Sequence, residues 1–76
     1  MDDLANYFKS SAFPSVTSKN MATDLETMIQ AFNSNDVTLY YQSVDQLVAK
    51  SQVLSASEKG LANSWLSSRG ATMLIQ

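Results

Sequence analysis

Cysteine and histidine are both missing from this chain. Their absence excludes disulfides, thiolate or imidazole metal ligands, cysteine nucleophiles and His-dependent triads. The only glycines, Gly60 and Gly70, are too few to build a phosphate-cradling loop. Cations are scarce as well: Lys9, Lys19, Lys50, Lys59 and Arg69 stand scattered against seven carboxylates, for a formal charge of −2. Nucleic-acid binders draw much of their affinity from clustered Lys and Arg, so no direct nucleic-acid partner is expected. No apolar run approaches the ~20 residues of a membrane span. Asp2 and Asp3 are acidic where a signal or transit peptide would be basic. The expectation is a soluble, cytoplasmic protein with no membrane partner, no metal and no cofactor.

What is present points to helices. The 76 residues read as a single helical domain, 1–76, and a domain of this size buries only about 60% of the surface its unfolded chain exposes. Small chains offset so small a core with disulfides, a metal or association. With the first two excluded, a protein partner or a homo-oligomer, most simply a dimer, is expected. Ser, Thr, Asn and Gln together outnumber the charged residues, so the solvent faces are mostly neutral and repel like copies only weakly.

Leu4, Tyr7 and Phe8 recur at i, i+3 and i+4, one side of a short first helix. Pro14 disfavours helical geometry at Phe13, which ends this helix near Ser10 and Ser11 and makes 12–17 a connection. Met21, Leu25, Met28, Ile29 and Phe32 form an apolar stripe on a second helix, with Ser18 or Asn20 available to cap its start. Asn33, Ser34, Asn35 and Asp36 are turn formers, and Asn35 or Asp36 can cap a third helix. Its stripe is Val37, Tyr40, Tyr41, Val44, Leu47, Val48 and Leu54, interrupted by Ser51, with Leu39 and Val53 off the face. The predicted fold is all-α: a small bundle of three to four short helices around an antiparallel hairpin of about 18–33 and 36–54, whose two stripes cover each other. Ser55-x-x-Glu58 is a capping-box spacing that opens a last helix with Leu61, Ala62, Trp65 and Leu66 on its apolar face. Arg69 and Gly70 read as its C-terminal cation and left-handed cap.

Chemistry has little to work with. Of the carboxylate pairs, Asp24 and Glu26 stand two apart on a helix and diverge, and Asp45 and Glu58 lie among polar residues, so no catalytic residue is assigned and no enzyme is expected. Tyr40, Tyr41 and Trp65 suit base stacking, but without surrounding cations they read as core or interface. Tyr and Trp are enriched at protein interfaces, and one of the two adjacent tyrosines is expected to face the core and the other its rim. Met73, Leu74 and Ile75 are three consecutive apolar residues in need of cover, by a groove of this domain or of a second copy, so the tail 71–76 is either flexible or docked on a partner. The candidate interface is therefore Leu4, Tyr7, Phe8, Phe13, Tyr40, Tyr41, Trp65, Met73, Leu74 and Ile75.

The run Leu4-Ala5-Asn6-Tyr7-Phe8-Lys9-Ser10-Ser11 resembles the opening of the YmgB (AriR) family of small enterobacterial regulators, which carries a Tyr-Phe pair and then a basic and small polar residues on a short first helix. The two longer stripes fall in register with that family's next two helices, so the resemblance spans residues 4–66 and is close over the first eight. It implies a dimeric, non-enzymatic helical protein linked to biofilm formation and acid stress, acting as a connector on a two-component phosphorelay. A helical hairpin of this length, with Tyr41-Gln42-Ser43 after the turn and Leu74-Ile75 near the C-terminus, also resembles a type III secretion needle subunit or needle chaperone. A phage or plasmid inhibitor of a host protein is the third expectation.

Overall fold

The computed structural model describes residues 2–71 and 75. Among them are four helices and no strand: α1 (Asp2–Lys9), α2 (Val16–Asn33), α3 (Val37–Gln52) and α4 (Ala56–Ser68). The predicted all-α bundle is the observed one. Lys19 Nζ donates to the carbonyls of Lys9 and Ser10, each at 2.8 Å, so a cation on α2 meets the negative end of α1.

Each later helix begins on a side-chain cap. Ser15 Oγ accepts from the Ser18 amide at 3.1 Å, so α2 starts three residues earlier than a Ser18 cap would place it. Ser18 is instead fully buried, its hydroxyl donating to the Ser15 carbonyl at 2.8 Å. Pro14 places the preceding residue in extended geometry, and Ser15 turns the chain into the helix. Asp36 Oδ1 accepts from the Leu39 amide at 3.1 Å and starts α3. Ser55 Oγ accepts from the Glu58 amide at 3.2 Å and starts α4.

The ends are equally specific. At the end of α2, Asn35 adopts a left-handed φ of 57°, its amide donates to the Phe32 carbonyl, and the Asp36 amide reaches back to the Ala31 carbonyl at 2.9 Å. This is a Schellman closure with asparagine where glycine is usual. Asp36 therefore closes α2 with its backbone and opens α3 with its side chain, which leaves the hairpin turn little freedom. The end of α4 repeats the pattern: Gly70 sits at φ 77° and the Ala71 amide donates to the Leu66 carbonyl at 3.0 Å.

Packing is centred on α2. Its buried face is Ser18, Met21, Ala22, Leu25, Met28 and Ala31. α2 packs most extensively against α3 and next against α1. Ala5, Phe8, Phe13, Leu54 and Ala62 complete the core, with Leu4, Tyr7, Tyr40, Val44, Leu47 and Ile75 packed at its edge. Lys50 Nζ meets Asp24 Oδ2 at 2.6 Å and ties α3 to α2 in the antiparallel sense. This half-buried pair contributes on the order of 1 kcal/mol. The more exposed Lys9–Glu26 pair, at 2.9 Å, contributes less.

The two stripes of the hairpin cover each other only in part: Tyr40, Val44 and Leu47 of α3 pack on the core that Met21, Leu25 and Met28 of α2 belong to. Phe32 is 70% exposed, and Val37, Tyr41 and Val48 are also open to solvent. In α3 only Ser43 is buried, while Tyr40, Val44 and Leu47 reach the core from the side. The cause is length. At ~1.5 Å per residue, the eight residues of α1 cover about 12 Å against about 27 Å for the eighteen of α2. Phe32 lies on the same face of α2 as Met28 and Leu25, but at its last turn it meets only the Tyr40 ring of α3 and stays exposed.

Candidate interaction surface

Phe8 and Phe13, expected at an interface, belong to the chain's own core. They are 1% and 0% exposed, with ring centroids 4.8 Å apart at 70°. Tyr7 meets Phe13 edge-on at 4.8 Å and stacks on Trp65 at 6.5 Å, which joins α1 to α4. Arg69 covers the outer side of Trp65, its guanidinium carbon 3.7 Å from the ring centre, a cation–π contact. Leu4 is half-buried beside this cluster. The tyrosine pair divides as its position on the helix predicts, with Tyr40 half-buried and Tyr41 62% exposed.

Of the tail, Ile75 lies against its own bundle. Its amide donates to Asn63 Oδ1 at 2.7 Å and its carbonyl accepts from Asn63 Nδ2 at 2.9 Å, so one side-chain amide satisfies both backbone groups. Met73 and Leu74 lie outside the described residues.

Glu58 also departs from expectation. It is buried, and its carboxylate turns to α2, accepting from Ser15 Oγ at 2.9 Å. Its other carboxylate oxygen stays near the Ser55 hydroxyl, at 3.5 Å, so Glu58 links the start of α4 to the start of α2. Among the described residues no group of three or more acidic side chains is placed to hold a metal ion.

The uncovered surface runs along α3. Val37, Tyr41, Val44 and Val48 follow one another at intervals of four, three and four, the spacing of a coiled-coil seam. Val44 is half-buried and supports the other three, which are 64%, 62% and 49% exposed. At the hairpin end the seam opens into a recess of about 220 Å³ formed by Phe32, Val37, Tyr40 and Tyr41 over the Asn35–Asp36 turn. The rings there are in contact: Tyr40 meets Tyr41 edge-on at 5.4 Å and Phe32 at 6.2 Å. At the other end Leu47, Val48, Ser51 and Gln52 form one wall of a groove of about 560 Å³. Leu4 and Phe8 of α1, Met21 and Leu25 of α2, Leu66 of α4 and Ile75 form the rest.

Sequence reasoning placed Val37 and Val48 in the core and did not single out Phe32 as a surface residue. The signal that could have found Phe32 and Val37 is the shortness of the first helical segment before Pro14, which leaves the far turns of the hairpin without a covering layer; Val48, beside Leu4 and Phe8 at the other end of α3, carries no such signal. No helix among the described residues is long and apolar enough to cross a membrane. No protein-family model, no curated protein and no solved structure matches this chain.

Proposed function

We propose that this chain is a small, non-enzymatic interaction protein that binds another protein through α3 and the aromatic hairpin tip. The observation that supports the reading is the exposed, preformed run of Val37, Tyr41 and Val48 between two recesses. Exposed apolar side chains are ordinary singly, but a contiguous set beside a concave surface is typical of a binding site. The turn that positions it is closed on both sides by Asp36, so little ordering has to accompany binding. Tyr offers a large rigid contact area and a polar handle at low entropic cost.

A regulatory role, including that of a phosphorelay connector in biofilm or stress response, draws its support from the resemblance of residues 4–11 to the YmgB family. In this chain Tyr7 and Phe8 of that run hold α1 to the core, so they serve the fold before they serve a partner. A needle subunit is the weaker alternative, since its second half runs as one helix while here the chain breaks between Gln52 and Ala56 and folds α4 back toward the start of α2.

Site-specific photocrosslinking in cells of the source organism tests the reading. A photoreactive phenylalanine at position 41 should give a discrete adduct with another protein, and the same group at exposed Asn20 should give none. Equal labelling at the two positions would contradict it.

A further inference from the structure

We infer that the partner presents a basic amphipathic helix of about three turns, laid along the seam of α3 with an apolar anchor in the recess at each end. The inference rests on the interaction reading above and adds the chemistry of the partner. Length is the first argument. The eleven steps from Val37 to Val48 span about 16 Å at 1.5 Å per residue, or three helical turns. The four-three-four spacing of Val37, Tyr41, half-buried Val44 and Val48 suits a second helix better than an extended strand, because a facing helix repeats its own apolar residues at the same intervals.

Charge is the second argument. Asp45 lies on the exposed side of α3, four residues after Tyr41 and three before Val48, and Asp36 stands at the rim of the hairpin recess. No cation lines either recess. Lys50, the only cation of α3, is turned to Asp24 on the side facing α2. Lys9 is paired with Glu26, Lys19 with the end of α1, and Arg69 covers Trp65. The face is thus apolar and acidic, with exposed tyrosine and phenylalanine rings that attract cations. A second copy docked seam to seam would bring further carboxylates and no cation from the recesses that flank the seam, which disfavours self-pairing through this face. An Arg- or Lys-bearing helix answers both the carboxylates and the ring faces.

Two synthetic helical peptides test this. Both are fourteen residues long with leucines at alternating spacings of three and four. One carries arginine at the flanking positions and the other glutamate. Each is titrated into the isotope-labelled full chain while the backbone amides are followed by NMR. The arginine peptide should shift the amides of residues 32–52, and the glutamate peptide should not. D45K should weaken the arginine peptide by about three- to ten-fold, as expected for loss and reversal of a surface ion pair, and should leave the fold's spectrum intact. Y41S should weaken it further. If both peptides bind equally, or D45K changes nothing while Y41S still weakens binding, the basic partner is wrong and the interaction surface stands. If neither peptide shifts the seam, or Y41S is without effect, the surface itself is wrong and the inference falls with it. If dilution of the free protein moves the same amides, the seam pairs with a second copy, and that too overturns the proposal.

Discussion

Two clusters of aromatic rings stand in this chain, both built on tyrosine and phenylalanine and with similar ring geometry, and they meet opposite fates. Tyr7, Phe8, Phe13 and Trp65 are packed between α1, α2 and α4, with both phenylalanines out of contact with solvent. Phe32, Tyr40 and Tyr41 make comparable edge-on and tilted contacts at the hairpin tip, yet Phe32 and Tyr41 are more than half exposed. Composition and local geometry do not separate them. Cover does: the first cluster lies where three helices overlap, the second where only two remain. In a chain too small to bury all its apolar surface, the first cluster holds the fold together and the second is left available for association.

The comparison can be broken most forcefully at Phe13. Phe13→Ala should cost about 3–5 kcal/mol, as is usual for a fully buried phenylalanine, and in a chain this small it should leave a substantial unfolded population by circular dichroism at room temperature. A loss under about 1 kcal/mol would mean that the first cluster is no more structural than the second. Ser15→Ala is the next largest. It removes the cap of α2 and the hydroxyl that binds buried Glu58, and urea denaturation should show a loss of about 1–2 kcal/mol. A neutral result would mean that α4 covers the first cluster without this anchor.

Asn35 tests the tip. Its positive φ predicts that Asn35→Ala costs about 1 kcal/mol while Asn35→Gly changes stability by only a few tenths. Thermal melts of the two variants side by side would show it, and equal melting points would mean that the turn does not hold the left-handed geometry.

Much of this organisation is legible in the sequence, and most of what is not has a common cause. Caps and stops depend on residues close in the chain, which is why Ser55, Gly70 and the break before Pro14 could be placed from spacing alone and the cap of α3 narrowed to Asn35 or Asp36; the cap of α2, expected at Ser18 or Asn20, is Ser15. Helical period also identifies which residues share a face. Period does not say whether anything lies above that face. Val37, Tyr41 and Val48 share a helix with Tyr40, Val44 and Leu47, and it is the packing of α3 on α2 and the rest of the core that decides which three are covered. Phe13 illustrates the converse: it stands in a connection, where exposure is the ordinary expectation, but the turn between Ser10 and Ser15 folds it under Tyr7 and Phe8. Ala22 and Ala31, too small to mark a stripe, prove to belong to the buried face of α2. Asn63 and Glu58 act through partners twelve and forty-three residues away, and spacing carries no trace of either pairing.

The most direct test of the division between the two clusters is the unfolding free energy of the double variant Phe32→Ser and Tyr41→Ser, measured by urea denaturation. If the tip is held for association and not for folding, the double variant should stay within about 1 kcal/mol of the parent, as exposed substitutions do. A loss approaching the 3–5 kcal/mol of a buried phenylalanine would show that the tip belongs to the core, and the interaction surface proposed here would not exist.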